Sequence, residues 1–245
     1  MSESTGGYFY DRIAEYVAVL LPCAWVGLRP ALVAALAGLD ATARPVVDVG
    51  AGTGDGVVVL ADALPEVEII AVEPHAALRT ALLTRISSTS ALSERVTVLA
   101  DDVLSARLPD RIAGLTAMNV IGHLAPGERR ALWALLAAKL IPGGRAVLNL
   151  YPPHLPEAVP DAPMGAAVIG RRRYSGSAAA EPAGPDSVTW HMTYRVEEEG
   201  EVVAEFTASD HWYVLTPAEL ATEVAEHGLR VRAGDAAQGL HIITR

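Results

Sequence analysis

The sequence predicts an α/β domain built around a mostly parallel sheet and carrying one long insertion. Three observations lead there. The first is a short apolar strand, Pro45 to Val49, that runs into a turn with glycine at 50, 52 and 54 and then into the helical run Val57 to Leu64. Strand, glycine turn and helix in that order open a nucleotide-binding α/β unit. Glycine supplies the positive φ of the tight turn and lets the backbone touch a ligand. The second is another β-rich segment, Glu68 to Val72, closed by Glu73, 21 residues beyond Gly52. An acid at that distance, ending the second strand, is placed to accept hydrogen bonds from ribose hydroxyls; a solvated surface acid is the plainer alternative. The third is continued alternation. A strand from Arg95 is followed by Asp101 and Asp102, a fourth strand spans Ile112 to Val120, and a helix spans Leu132 to Leu140. The turn Ile141 to Gly144 then leads into a fifth strand, Arg145 to Leu150.

The glycine spacing narrows the cofactor. A dinucleotide fingerprint needs its third glycine at position 55, where Asp55 stands, which argues against a nicotinamide oxidoreductase. With Asp48 two residues ahead of Gly50, the stretch resembles motif I of the class I S-adenosylmethionine-dependent methyltransferases, in their small-molecule, natural-product N/O-methyltransferase branch. That resemblance implies a Rossmann-like fold, a seven-stranded mostly parallel sheet with helices on both faces, and S-adenosyl-L-methionine as cofactor. It implies that Asp48, Gly50, Gly52, Gly54 and Glu73 face the cofactor. It further implies that an acid after the third strand holds the adenine amino group; this aligns to Asp102, with Asp101 as competitor, and Val103 then offers its backbone amide. Ile141 to Gly144 resembles the family's turn before the fifth strand, and Thr216 to Gly228 its late helix. Gly114 departs from the pattern, standing where the family usually carries an acid. The resemblance covers residues 40–150 and 215–245.

Composition sets the outer limits. The 245 residues are 51% hydrophobic and 20% charged, enough to bury a sizeable core in one domain with an insertion. The net charge is −10, and the longest basic run is Arg171 to Arg173, which disfavours nucleic acid as a partner. The single cysteine, Cys23, cannot form an internal disulfide. The polar, acidic start does not resemble a signal peptide, and the apolar run Val17 to Leu28 is too short to span a bilayer and contains Pro22. The expectation is a cytoplasmic protein without a membrane partner, whose oligomeric state stays open, a homodimer included.

Four regions follow. Residues 1–40 read as a helical lid. Within it residues 1–7 are small and polar and read as disordered, a helix begins at Tyr8, Pro22 to Arg29 is a break with Trp25 as a core anchor, and a second helix spans Ala31 to Leu39. Tyr8 to Tyr16 resembles a segment that folds over the cofactor in small-molecule methyltransferases. Its spacing to Tyr16 is one residue short of that pattern, so Tyr10 is the residue it points to. Residues 41–150 form the cofactor core, and 216–245 supply the last helix and two strands.

Residues 151–215 are the insertion, about 65 residues where such connections are usually short. Tyr151 to Pro156 is too proline-rich for a helix, Arg171 to Tyr174 reads as a short strand, and Ala178 to Asp186 as a loop. Ser187 to Val214 reads as a hairpin. Val188, Trp190, Met192, Tyr194 and Val196 share an apolar face with Val202, Ala204, Phe206, Trp212 and Val214, provided that Glu197 pairs with Glu201 around a three-residue loop. The other face carries Thr189, His191, Thr193, Arg195, Thr207, His211 and Tyr213. It is expected either to look onto a polar substrate, as in the β cap that the resemblance implies, or simply to be solvated. His191 and His211 fit no compact metal-ligand spacing, so no metal is expected.

The end of the fourth strand faces the reaction centre in an open parallel sheet, which brings Asn119 and His123 into play. Asn119 is a cofactor or substrate ligand candidate. His123 is the first candidate for general base, ahead of His211 and His191, with local packing as the alternative. The expected function is methyl transfer from S-adenosyl-L-methionine to a nitrogen or oxygen of a small molecule, plausible in secondary metabolism. The alternatives are a methyltransferase fold that uses the bound cofactor structurally for another reaction, such as a cyclisation, and a non-catalytic partner protein.

Overall fold

The computed structural model describes residues 5–42 and 44–245. In chain order the elements are α1 (Thr5–Leu36), β1 (Val46–Val49), α2 (Asp55–Ala63), β2 (Ile69–Val72), α3 (Ala76–Ser87), α4 (Ser90–Ser93), β3 (Val96–Leu99) and β4 (Ile112–Ala117). After a 3₁₀ turn, Ile121–His123, come α5 (Pro126–Lys139) and β5 (Leu140–Asn149). The insertion supplies β6 (Val159–Ile169), β7 (Arg172–Pro182), β8 (Ser187–Glu198) and β9 (Glu201–Tyr213), and the chain ends with α6 (Pro217–Ala225), β10 (Arg230–Ala233) and β11 (Leu240–Thr244).

The main sheet has seven strands in the order β10-β11-β5-β4-β1-β2-β3. β5, β4, β1, β2 and β3 run parallel, and β11 and β10 are antiparallel additions. Adjacent residues of β1 point to opposite faces, so Val46 joins a core shared with α1, α2 and α3, while Val47 and Val49 join one shared with α5 and α6. With both faces covered, the central strands read as unbroken apolar runs rather than alternating ones. This is the Rossmann-like methyltransferase architecture expected, with helices on both faces. Gly114 has a packing reason: a Cβ there would stand 3.2 Å from both Leu39 Cδ2 and the Arg145 carbonyl oxygen.

The N-terminal region differs from expectation. Residues 1–4 lie outside the described residues, but the backbone at 5–7 is already helical, and α1 runs unbroken to Leu36 through Pro22 and Pro30. A proline removes one hydrogen bond and crowds one carbonyl, at about 3 kcal/mol in a helix interior. Here packing at both ends of the helix outweighs that cost. Ile13 is buried against the insertion, and Trp25, Leu28 and Leu32 against the main core; full burial of such side chains contributes about 1.5–3 kcal/mol each. By length and composition Phe9–Leu36 is also apolar enough to cross a bilayer, which the shorter run Val17 to Leu28 does not suggest, yet it packs against both sheets.

The insertion is a four-stranded antiparallel sheet, β6-β7-β8-β9, larger than the single hairpin expected. β6 escapes sequence reading because it contains Pro160 and Pro163, which an edge strand tolerates. Ala178 to Pro182 belong to β7 and not to a loop; Ala178 and Ala180 are buried, and their small side chains suit that place. In the β8–β9 hairpin, Glu198 and not Glu197 pairs with Glu201. The connection is the two-residue turn Glu199-Gly200, both at positive φ (53° and 85°), as a tight hairpin of matching twist requires. One extra residue, Val203, then bulges, since Glu197 pairs with Val202 and Val196 with Ala204. The bulge restores even-to-even pairing, so the apolar faces of the two strands coincide beyond it, and Val202 is left half-exposed.

On the far face of the main sheet α5 and α6 are tied by a buried group. Glu223 accepts from Arg129 Nη2 (2.9 Å) and from Trp133 Nε1 (2.9 Å). Burial alone would push this carboxyl up, but the bonds from Arg129 and Trp133 hold it below its usual range. Glu223→Ala would strand the Arg129 charge and is expected to cost about 3–5 kcal/mol, read by denaturant unfolding; a loss below about 1 kcal/mol would contradict this account.

Candidate active site

The site lies where β1, β2 and β4 end. Gly50, Gly52 and Gly54 all have positive φ (62°, 55° and 91°). A Cβ at Gly50 would press on Val120 Cγ2 at 2.6 Å, whereas at Gly52 the nearest atom would be the Gly50 carbonyl oxygen at 3.8 Å, so one side of the turn stays bare backbone. Glu73 fixes the turn. Its Oε2 accepts the Gly52 N–H (2.7 Å) and its Oε1 the His75 N–H (2.9 Å), with the side chain buried. A carboxylate offers about four lone-pair sites, so two remain for ligand hydroxyls.

Asp48 is buried at the end of β1. Its Oδ1 accepts from the Thr116 hydroxyl (2.6 Å), and its Oδ2 is buried without a partner, 2.7 Å from where a Cβ on Gly56 would sit. Burial pushes this carboxyl up to about 7 against the opposing bond from Thr116. Asp55 turns inward to accept from the Thr53 hydroxyl (2.9 Å) and from Arg85 (2.8 Å), so it braces α2 against α3. Asp101 and Asp102 are exposed; Asp102 Oδ1 caps the Leu104 N–H (2.8 Å), and Val103 is buried beneath them. Asn119 has φ 59°, and β4 stops at Ala117, short of the expected Val120. Its N–H donates to Asn149 Oδ1 (2.7 Å), and its Oδ1 accepts from Asn149 Nδ2 (2.8 Å), locking the ends of β4 and β5 together.

Above this rim the lid and the insertion converge. Tyr10 on α1 lays its ring over His75 (centroids 4.6 Å), and its hydroxyl meets His123 Nε2 at 2.9 Å. His123 Nδ1 lies 3.4 Å from Asp210 Oδ2, and the imidazole sits edge-on to Trp212 at 4.6 Å. Gly122 is required there, because a Cβ would overlap the Trp212 ring. Burial, with the His75 charge adding, pushes His123 down to about 4, and burial pushes Asp210 up to about 6 against the His211 backbone N–H. Burial first, then the charges of Asp210 and Glu73, raise the Tyr10 phenol.

The site therefore gathers Tyr10, Asp48, the three glycines, Glu73, Asn119 and His123. It does not gather His191 and His211. His191 bonds Ser209 (2.8 Å) and Glu181 (3.2 Å) on the outer face of the insertion, and His211 stands exposed against Tyr213. The reason is the period-2 alternation of β8 and β9: the even face packs on α1, through Tyr16 stacked on Tyr194 at 4.8 Å among other contacts, which turns the odd face outward. Of the two alternatives for the odd face, the solvated one holds, and the even face is the one turned toward the site. Asp210, His75 and Asn149 escape sequence reading. Asp210 leaves one signal, an acid on the apolar even stripe of β9.

Residues 46–144 match the family model of a methyltransferase domain. That segment is a methyltransferase domain. No curated protein matches the sequence. Among solved structures, this methyltransferase is similar to CalS10, an amino pentose methyltransferase from Micromonospora echinaspora involved in calicheamicin biosynthesis (19% identity, 90% of this chain and 91% of that one, TM-score 0.73). It is similar to the sugar N-methyltransferase KedS8 of a Streptoalloteichus species (18%, 89% and 86%, 0.68) and to DesVI of Streptomyces venezuelae (18%, 99% and 99%, 0.71). At these identities the likeness is one of fold, and it extends over the insertion as well as the core.

The residues present fit the cofactor. The orphaned Asp48 oxygen suits a cation, the spare acceptor sites of Glu73 suit a diol, and the Cβ-free side of Gly52 admits close approach. The raised Asp48 pKa gives a testable sign. Between about pH 4 and 7 the folded protein binds a proton that the unfolded chain releases, so Asp48 contributes stability that is lost as pH rises through about 7. A cationic ligand favours the ionised form. Binding of S-adenosylmethionine at pH 7 is therefore expected to release about half a proton, measured by calorimetry in buffers of different ionisation enthalpy. Asp48→Asn should abolish that release; an unchanged release would remove Asp48 from the site.

Proposed function

We propose that this methyltransferase acts on an amino nitrogen of a sugar-bearing small molecule in natural-product biosynthesis. The observation that carries this reading is the buried cluster of Tyr10, His123 and Asp210 under the insertion, at the end of β4. The bound cofactor supplies a methyl group already activated as a sulfonium. The chain's task is then to position the acceptor and exclude water. In this reading Glu73 takes the ribose hydroxyls, and Gly50, Gly52 and Gly54 present bare backbone. Asp48 faces the cofactor's ammonium. Asp102, or Asp101 beside it, meets the adenine amino group next to the Val103 amide. Asn119 shapes the floor, and Tyr10 closes over it.

Magnitudes favour nitrogen over oxygen. His123, pushed down to about 4, is neutral at pH 7 and a weak base. Taking a proton from a water-like hydroxyl of pKa about 15.7 would be uphill by roughly 12 pKa units, or about 16 kcal/mol. From an alkylammonium of pKa about 10.4 the gap is roughly 6 units, and solvent at pH 7 closes about half of it. CalS10, an amino pentose methyltransferase, and KedS8, a sugar N-methyltransferase, point the same way.

The test has two stages. S-adenosylmethionine or S-adenosylhomocysteine at about 100 times its dissociation constant should raise the unfolding midpoint by about 5–11 °C, with no shift for NAD. Mass spectrometry should then find one or more methyl groups added to amino glycosides and none to their hydroxy counterparts. A shift with NAD would defeat the cofactor assignment, and methylation of the hydroxy compounds would defeat the choice of nitrogen. His123→Ala is expected to leave cofactor affinity intact and to lower kcat by less than about 100-fold; a fall of about 10⁴ would instead mark an obligatory base.

A further inference from the structure

Asp210 is out of place by packing rules. It pairs with Trp190 across the hairpin and lies on the even face of β8 and β9, whose other members include Tyr194, Val196, Phe206 and Ala208. Its side chain is 9% exposed, and its Oδ2 is buried without a hydrogen-bond partner. His123 Nδ1 lies 3.4 Å from that oxygen, on an imidazole that burial keeps neutral at pH 7. A buried acceptor left unpaired costs stability, and folds keep such groups mainly where a ligand completes them. The surroundings describe that ligand. Tyr10 and Trp212 both pack edge-on to His123 beside the carboxylate, the Asp210 charge acts on the hydroxyls of Tyr10 and Tyr194, and that of Glu73 on Tyr10 as well. Negative potential within aromatic walls suits an organic cation.

We propose that Asp210 is the anchor for the acceptor's amino group: its inward carboxylate takes an N–H of the incoming alkylammonium beside His123. This rests on the methyl-transfer reading above and sharpens it, because a carboxylate on the insertion sheet becomes what distinguishes an amino sugar from a neutral one. The ammonium releases one proton to solvent, and the electrons of that N–H bond stay on nitrogen as its lone pair, so ammonium becomes amine. Asp210 still accepts a remaining N–H, which orients the nitrogen with its lone pair directed away from the sheet.

The experiment uses the full chain, saturated with S-adenosylhomocysteine and titrated calorimetrically with the methyl glycoside of an amino pentose and with its hydroxy counterpart. The wild type should bind the amino glycoside about 10–100-fold more tightly than the hydroxy one. Asp210→Asn should lose that preference while keeping S-adenosylhomocysteine affinity and hydroxy-glycoside affinity within about 3-fold of wild type. Asp210→Glu should recover part of the preference. Because the buried charge is removed, Asp210→Asn should also raise the unfolding midpoint by about 2–4 °C; a structural role would lower it. Unchanged amine affinity in Asp210→Asn, no amine preference or no amine binding in the wild type, equal loss of both glycosides, or a lowered midpoint would each overturn the proposal. Failure of the wild type to bind S-adenosylhomocysteine would instead defeat the underlying methyl-transfer reading.

Discussion

Glu73 joins two strand ends that the sheet alone would leave independent. With one oxygen on the Gly52 N–H and the other on the His75 N–H, its carboxylate sets the glycine turn after β1 against the segment leaving β2. The turn needs this, because three of its residues have positive φ and offer no side chain to hold it in place. The same bond places His75, over which Tyr10 packs, so the position of the lid follows from the end of β2. Tyr10 in turn meets His123, and His123 meets Asp210. One buried carboxylate thus begins a chain of contacts that crosses from the main sheet, through the lid, to the insertion.

The continuity of α1 gives that chain its rigidity. Its N-terminal half packs on the inner face of the insertion sheet and its C-terminal half on the main core. A break at Pro22 would let the two halves move separately. Unbroken, the helix couples the insertion to the Rossmann-like core, and the inward side chains of β9 are carried to the end of β4. The insertion therefore acts on the site through Asp210 and Trp212, while its outer face meets solvent with hydrogen-bonded pairs such as Thr193 with Thr207 and Arg195 with Glu205.

The core was legible in the sequence because its signals are local. Glycines at alternate positions, an acid 21 residues on, and apolar runs separated by helices each follow from backbone chemistry that neighbouring residues dictate. The insertion was legible only in part. The apolar stripe of β8 and β9 was readable, but which face met the protein depended on the path of α1, a distant element. β6 was hidden because edge position, a tertiary fact, is what excuses Pro160 and Pro163. The single helix was hidden because Pro22 breaks a helix unless packing outweighs it. At the site, Glu73 was readable from spacing, whereas Asp210 showed only as an irregularity in an apolar pattern, with nothing local to say what it faced.

The glycine turn and Glu73 are the proposed seat of the cofactor. A crystal structure of the chain with S-adenosylhomocysteine tests that most directly. Density for the ribose against the Glu73 carboxylate, with the ligand backbone-cradled at Gly50 to Gly54 and Tyr10 lying over it, is the result this account requires. Ligand density away from the ends of β1 and β2, or a ribose that makes no bond to Glu73, would contradict it.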